Sequence, residues 1–316
     1  MRLEYTILPG GARIDKITDP EARVIVPEKL EGLPVVELGA YALSGSAVEI
    51  LHLPSGLRRI GAYAFYNCER LRQIYCFSQA ADLGTGLFAG AGRIGFLDIT
   101  LIPGEKSCFK EMLSELRQTL RVQLHGTEEA RLIFPEYFEE SVENTPARIL
   151  YYETHGCGHR YRYCFARTQF QYPAYDELFA HVQVQEPEAL VMELALGRLL
   201  YPAGLTERFR GQYQAYAAEH WHMAVQLLVA ADGCHAGSDG DYSWSAGGNL
   251  DAGCLPWFVE EICRPGAEQL SEMIAIARRG GDTEMVSWLM NYRNQQRQNL
   301  QCTDGERRRK RRFELL

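Results

Sequence analysis

Four side chains that could bind a metal ion lie close together near the middle of the chain. They are His155, Cys157, His159 and Cys164. Imidazole nitrogens and thiolate sulfurs are common zinc ligands, so this set could form a tetrahedral N2S2 site. The spacing is unusual because Cys164 lies well beyond the other three, and the alternative interpretation is a polar turn with a free thiol. A second and looser set consists of Cys234, His235, Cys254 and Cys263.

The segment 90–95 reads Gly-Ala-Gly-Arg-Ile-Gly and matches the GxGxxG pattern of dinucleotide-binding loops. Such a loop must follow a strand and begin a helix whose N-terminus holds the pyrophosphate. Here the segment precedes a strand-like stretch, so we interpret it as a turn. The sequence has no nucleophile elbow, Walker loop or HExxH motif, and Glu139 and Glu140 are interpreted as solvated carboxylates. We therefore predict no catalytic residue and no cofactor.

Six consecutive basic residues occupy positions 307–312. Such a run can bind nucleic-acid phosphates, with an affinity that falls steeply as salt increases. A terminal charge run is more often disordered and solvated, so we expect a basic, disordered tail over residues 301–316. The net charge of −8 repels nucleic acid over most of the surface. Nucleic-acid binding is therefore the weaker of the alternatives.

Composition indicates a globular chain with more than one domain. The 316 residues are 46% hydrophobic and 23% charged, close to the averages for globular proteins. No stretch approaches the ~20 apolar residues that cross a bilayer, and residues 1–5 show no apolar signal segment. The nine cysteines are scattered and odd in number, unlike those of a disulfide scaffold. We expect a cytoplasmic protein without a membrane partner.

An internal repeat organises the first third of the chain. The segment Gly39-Ala40-Tyr41-Ala42-Leu43 returns as Gly61-Ala62-Tyr63-Ala64-Phe65, and more loosely at 84–88. Nine apolar residues repeat every 23 positions: Val48, Leu51 and Leu53, then Leu71, Ile74 and Cys76, then Ile94, Leu97 and Ile99. A period near 23 is typical of leucine-rich repeats, in which each coil contributes one short strand. Because one coil cannot bury its own apolar face, the coils must stack.

Alternation within these strands predicts a face that points away from the core. Residues two apart lie on the same side of a strand, so the residues between the apolar pairs face outward. The predicted outward row is Ile25, His52, Tyr75 and Asp98, with Ile50, Gln73 and Phe96 as a second row beside it. Aromatic and apolar residues on a solvated sheet favour a protein-binding surface. The alternative is that a C-terminal helical domain covers this face.

These segments resemble the BspA-like type of leucine-rich repeat. The resemblance rests on Ile25-Val26-Pro27, on Leu53-Pro54 and on the run Gly-Ala-Tyr-Ala-Phe-Tyr-Asn-Cys at 61–68, and it covers roughly residues 22–103. The third copy departs from the pattern because it lacks the proline and the Ala-Phe pair. The resemblance implies a solenoid with a protein-interaction surface, and it implies no particular reaction.

Beyond residue 103 the pattern becomes mainly helical. Apolar residues at helical spacing predict a capping helix over 106–122. The segments 149–152 and 161–165 flank a glycine-bearing turn and are interpreted as a β-hairpin. Further helices are expected at 189–200, 207–231 and 257–263, followed by an αα hairpin around Gly280 and Gly281. Residues 232–254 are interpreted as a surface loop because they are rich in Gly, Ser and Asp.

Together these patterns predict an α+β protein, with a short leucine-rich-repeat β-solenoid, a β-hairpin-containing segment and a mainly α-helical, helical-repeat-like domain. The expected divisions are the solenoid at 1–103, the capping helix and hairpin at 104–185, the helical domain at 186–300 and the tail at 301–316. We expect a non-catalytic protein that binds a protein partner through the outward rows. The alternatives are a metal-dependent or cryptic enzyme with a site at 155–164, and a nucleic-acid-associated adaptor that uses the basic tail.

Overall fold

The computed structural model describes residues 1–144, 149–233 and 254–313, and it describes side chains for residues 1–141, 152–229 and 254–298. The chain forms two compact units, Met1–Tyr213 and Gln214–Leu316. The expected domain boundary at residue 186 does not coincide with this division. The helix that follows residue 186 packs on a strand of the first unit, so this helix belongs to the core of that unit.

Five parallel strands and one antiparallel strand form the main sheet of the first unit. In spatial order they are β12 (Ala130–Phe134), β11 (Leu120–His125), β10 (Phe96–Thr100), β8 (Gln73–Phe77), β6 (Ile50–His52) and β3 (Arg23–Ile25). Leu51 pairs with Ile74, and Ile74 pairs with Leu97. Strand pairing therefore joins positions that are equivalent in successive copies of the repeat, which confirms the repeat.

A second sheet takes one strand from each successive coil. Its order is β1 (Arg2–Leu8), β2 (Gly11–Thr18), β5 (Leu33–Leu38), β7 (Arg59–Ile60) and β9 (Asp82–Leu83), and β4 (Lys29–Leu30) pairs with β5. β1 and β2 form an antiparallel hairpin, whereas β2, β5, β7 and β9 are parallel. The two sheets together give a β-solenoid, as the sequence predicts.

The repeating residues fill the core of the solenoid. All nine apolar residues of the repeat are at most 5% exposed. Phe65 and Phe88 stack in the core with ring centroids 5.7 Å apart. A Cβ atom on Gly61 or Gly84 would lie within 2.4 Å of the backbone of the preceding coil. Glycine at these positions lets successive coils approach closely enough to stack.

The region after residue 103 is less helical than the sequence suggests. Helix α1 covers Phe109–Glu115, and residues 120–125 belong to β11. The expectation of one helix over 106–122 is therefore wrong at its C-terminal end. Val122 pairs with Leu97, so β11 extends the repeat at a slightly longer spacing. Alternation of Leu120, Val122 and Leu124 lets this segment pair with the edge of β10, which would otherwise be free.

The β-hairpin forms from segments other than those expected. β13 (Phe138–Asn144) pairs with β14 (Ile149–His155), and Gly158–Arg162 forms helix α2. Pairing of 149–152 with 161–165 is therefore wrong. A strand would place Tyr161 and Tyr163 on one side, whereas Tyr161 is buried and Tyr163 is 64% exposed. A short hairpin of β15 (Phe165–Ala166) and β16 (Gln169–Phe170) follows.

The remaining described elements are helical. They are α3 (Tyr172–Glu177), α4 (Phe179–Gln185), α5 (Glu188–Leu200), α6 (Glu207–Glu219), α7 (Trp221–Gly233), α8 (Cys254–Trp257), a π-helical turn (Phe258–Cys263), α9 (Ala267–Arg279) and α10 (Thr283–Phe313). The single helix expected at 207–231 is thus two helices. The αα hairpin is confirmed as α9 and α10, joined at Gly281, whose φ is +77°.

Two expectations concern the C-terminal part of the chain. The expected surface loop lies outside the described residues over 234–253. Where a disordered tail is expected, the backbone of α10 continues through residues 301–313. This stretch contains five arginines, one lysine and no proline, and Arg and Lys favour a helix. Within the described residues, no helix is both long and apolar enough to cross a lipid bilayer.

Candidate protein-binding face

Strand register places the predicted surface residues in two rows. Ile25, His52, Tyr75 and Asp98 pair successively across β3, β6, β8 and β10. Ile50, Gln73 and Phe96 pair in the same way. Six of these seven residues are half-buried or exposed, and we call them the ladder face: Ile25, Ile50, His52, Gln73, Tyr75 and Asp98.

Aromatic stacking organises the centre of the ladder face. The His52 ring lies parallel to the Tyr75 ring, with centroids 4.2 Å apart and planes at 11°. The Tyr75 hydroxyl donates a hydrogen bond to Gln73 Oε1 at 3.2 Å. Ile25 continues the row at the edge strand and is 62% exposed. The row therefore presents rigid aromatic and apolar surface beside an exposed aliphatic side chain.

Phe96 does not share the exposure of its row. It is 2% exposed, with its ring centroid 5.9 Å from that of Tyr75. Its cross-strand neighbour Arg121 donates to Glu193 of α5, with Nε to Oε1 at 2.5 Å and Nη2 to Oε2 at 2.8 Å. Phe96 therefore supports the platform from within the core, and the expectation that it offers partner surface is corrected.

Helix α5 covers one end of the main sheet. It packs on β12 and, through Glu193, reaches β11. Burial raises the pKa of Glu193, although the Arg121 guanidinium favours its charged form. The β11–β12 end of the sheet is thus covered by α5, whereas Ile25 at the β3 end is largely exposed.

Polar and charged side chains lie at the β10 end of the row. Asp98 Oδ2 lies 3.1 Å from His125 Nε2, and Glu129 Oε1 lies 3.3 Å from His125 Nδ1. Burial opposes the charge on His125, but its hydrogen bonds with the two carboxylates outweigh burial and raise its pKa above 6.5. Burial, helped by the Arg23 charge, instead lowers the pKa of His52. His52 is therefore neutral at pH 7, and its stack with Tyr75 is an uncharged surface.

The candidate zinc ligands point to separate partners. His155 stacks on Phe138, and His159 packs against Tyr137 and Tyr163. Cys157 Sγ lies 3.1 Å from Glu186 Oε1, whereas Cys164 Sγ faces the Arg160 carbonyl oxygen. Among the described residues, no group of three His, Cys, Asp or Glu side chains is arranged to hold a metal ion. The structure therefore does not bring these four residues together.

The same cysteines lack the features of a catalytic nucleophile. Burial, with a hydrogen bond to Glu186, raises the pKa of Cys157 to about 12. Burial also raises the pKa of Cys164 to about 12 and that of Cys263 to about 11. A thiol must ionise to act as a nucleophile, and burial disfavours the thiolate form of all three cysteines. Of the looser set, Cys234 and His235 lie outside the described residues.

The GxGxxG segment has no nucleotide-binding context. Residues 90–95 form a turn that is followed by strand β10. Its interpretation as a repeat turn is therefore confirmed. The backbone of the basic residues 307–312 belongs to α10, and their side chains lie outside those that the structure describes.

One surface feature was missed by sequence reasoning. Tyr41 and Tyr63 stack with centroids 5.3 Å apart, and Tyr66 meets both rings edge-on. Tyr41 is 47% exposed and Tyr66 is 38% exposed. The repeated Gly-Ala-Tyr-Ala segment could have predicted this tyrosine stack, because equivalent residues of stacked coils become neighbours.

Comparisons with known proteins agree with the solenoid. Residues 29–116 match the family described as "BspA type Leucine rich repeat region (6 copies)", so the resemblance of the N-terminal third is confirmed. The helical C-terminal part is not assigned to a family by this match. No curated protein matches the sequence.

Two solved structures resemble part of the chain. A leucine rich cell surface protein from Faecalibacterium prausnitzii A2-165 is 18% identical over 32% of this chain and 35% of its own, with a TM-score of 0.27. A leucine rich repeat protein from T. pallidum is 20% identical over 30% of this chain and 68% of its own, with a TM-score of 0.22. The match therefore spans about a third of the length of the first protein.

Proposed function

We propose that this protein is non-catalytic and binds a protein partner through the ladder face. The observation that carries the proposal is the aligned row in which exposed Ile25 adjoins the stacked rings of His52 and Tyr75. Aromatic residues held rigidly lose little conformational entropy when a partner binds, and they dominate interface energetics. The β-solenoid and its leucine-rich repeats support an interaction role.

The charges around the row suggest what the partner presents. His52 and Tyr75 form an uncharged platform that suits an apolar side chain. Asp98 lies at one end of the row. The exposed Arg23 lies on the edge strand β3 and is the cross-strand partner of Ile50. We infer a partner segment with an apolar residue over Tyr75 and an acidic group near Arg23. Complementary charges of this kind set the orientation of a bound chain.

The other two functions have less support. The metal-dependent enzyme needs four ligands that face different partners. The nucleic-acid adaptor rests on basic residues known from the sequence alone. The cytoplasm is proposed as the compartment because the seven described cysteines are free thiols, which suits a reducing environment.

Site-specific photo-crosslinking tests the proposal. A photoreactive phenylalanine analogue replaces Ile25 on the ladder face, or replaces Val184 on α4 as the matched control, because Val184 is 85% exposed. Illumination of cells that produce each variant, followed by mass spectrometry, identifies the trapped proteins. We expect one protein to be trapped from position 25 and absent from position 184. Identical products from both positions would show that the ladder face has no specific partner.

A further inference from the structure

Three sulfur atoms form a buried cluster between the solenoid sheet and α1. The Met112 Sδ lies 3.6 Å from the Cys108 Sγ and 4.0 Å from the Cys76 Sγ. The thiols of Cys76 and Cys108 both donate to this thioether sulfur. All three side chains are at most 4% exposed. The Met112 sulfur therefore contacts both thiols, and the three sulfurs define a triangle.

The secondary structure fixes this triangle from two sides. Cys76 lies on β8 in the inward row, paired with Ile99. Cys108 precedes α1, and the Met112 amide one helical turn later donates to the Cys108 carbonyl oxygen at 3.0 Å. Residues separated by one turn share one face of a helix. Leu53 and Ile99 fill the position of Cys76 in the neighbouring coils, so packing alone does not require sulfur there.

We propose that Cys76, Cys108 and Met112 form a binding site for one Cu(I) ion. A metal about 2.3 Å from each of three coplanar sulfurs requires those sulfurs to be about 4.0 Å apart. The two measured separations, 3.6 and 4.0 Å, are close to this requirement. Thiolate and thioether ligands are soft and select Cu(I), whereas zinc takes thiolate, imidazole or carboxylate ligands. The thioether of Met112 therefore distinguishes copper from zinc.

Proton balance gives the site a pH dependence. One Cu⁺ and two neutral cysteine side chains give a bis-thiolate complex with one negative charge, and two H⁺ are released. The metal must therefore displace protons, and affinity weakens about tenfold per pH unit for each proton as pH falls.

A cleft brings solvent close to the cluster. It has a volume of about 510 Å³, and its lining includes Ser78, Ser107 and Phe109. Ser107 and Phe109 are the chain neighbours of Cys108, and Ser78 follows Cys76 closely in the chain. The cleft therefore lies beside residues that flank two of the proposed ligands.

Competition with the chromogenic Cu(I) chelator bicinchoninate tests the site in the full-length reduced protein without oxygen. We expect one Cu(I) per chain and weaker binding at lower pH. Met112→Leu keeps the volume of the side chain and removes one of three bonds, so affinity falls roughly tenfold or more. Cys76→Ser and Cys108→Ser each remove a thiolate and weaken binding further.

Cys68→Ser is the matched control, because Cys68 is also buried in the solenoid and its thiol bonds the Leu43 carbonyl oxygen. Its Cu(I) affinity is expected to equal that of the wild type.

X-ray absorption of the copper-loaded wild type gives a measurement that does not depend on whether a variant folds. Three sulfur neighbours of the copper are expected. Nitrogen or oxygen neighbours, absent binding, or equal affinity in Met112→Leu and wild type would overturn the proposal. The test is independent of the ladder face.

Discussion

Tyr41 and Tyr63 adopt a left-handed backbone conformation, with φ of +57° at both. The equivalent residue of the third coil is Gly86, with φ of +63°. A residue with a Cβ atom pays about 1–2 kcal/mol for this conformation. The stack between the two tyrosine rings offsets part of that cost. The repeat therefore accepts either glycine or a stacked tyrosine at this turn.

This strain predicts an inverted order of stability at position 41. Tyr41→Gly and Tyr41→Ala both lose the stack, but alanine retains the strained backbone. The glycine variant should therefore be more stable by about 1 kcal/mol, measured by urea unfolding. Tyr66 is the control, because it is exposed in the same cluster and is not among the residues with positive φ. There the alanine variant should be the more stable. The same order at both positions would refute the strain.

His125 predicts a pH dependence of stability. Its pKa is raised in the folded protein by Asp98 and Glu129, which outweigh burial. The stabilisation is fully present below an unfolded pKa of about 6.5 and disappears as pH rises through the higher folded value. The free energy of unfolding of the wild type should therefore exceed that of His125→Asn, and the difference should be larger at pH 6 than at pH 8.5. Chemical unfolding at both pH values measures this, and a gap that widens at pH 8.5 would contradict it.

At the scale of elements, buried charges join helices that lie far apart in sequence. The Arg198 guanidinium on α5 donates to both carboxylate oxygens of Asp176 on α3, at 2.8 and 3.0 Å. The Tyr213 hydroxyl on α6 donates to the same carboxylate at 2.8 Å. Both charged side chains are fully buried. The network therefore fixes the mutual positions of three helices.

Removing one member of this pair should be costly. Arg198→Met leaves the Asp176 carboxylate buried without its cation, so the free energy of unfolding should fall by about 3–5 kcal/mol. Arg210→Met is the control, because Arg210 pairs with Glu207, whose side chain is 89% exposed. Exposed pairs contribute about 0–1 kcal/mol. Thermal or urea unfolding compares them, and equal losses would show that the buried pair has no special role.

Sequence periodicity predicted the elements whose contacts repeat along the chain. Leu51, Ile74 and Leu97 recur at one spacing and occupy one register in the sheet. β11 was missed because α1 is inserted before it and lengthens the spacing between Leu97 and its partner Val122. A period search cannot anticipate such an insertion. The next coil was therefore interpreted as a continuation of the helix.

The α2 region shows why the hairpin was misassigned. Burial lowers the pKa of Arg162 to about 10, and its buried guanidinium needs many acceptors. Those acceptors are backbone carbonyl oxygens of Leu116, Pro135, Gly158 and Gln118. Three of the four belong to segments that lie well before α2 in the chain. No local pattern reports contacts of that range.

At the scale of the whole molecule, the candidate face was predictable in position and less so in accessibility. Alternation along short strands placed Ile25, His52 and Tyr75 in one row, and strand pairing confirms it. The covering of the neighbouring strands depends on Arg121 and Glu193, which are far apart in the sequence. Phe96 is 2% exposed, so a test of the face must use residues nearer β3.

The affinity of the crosslinked partner for Tyr75→Ala is the most direct test of the proposed function. Isothermal titration would compare wild type, Tyr75→Ala and the control Tyr41→Ala, each checked for folding by circular dichroism. Loss of a central aromatic contact costs about 2 kcal/mol or more, so binding to Tyr75→Ala should weaken about 30-fold while Tyr41→Ala binds like wild type. Unchanged affinity in Tyr75→Ala, or an equal loss in both variants, would contradict binding through the ladder face.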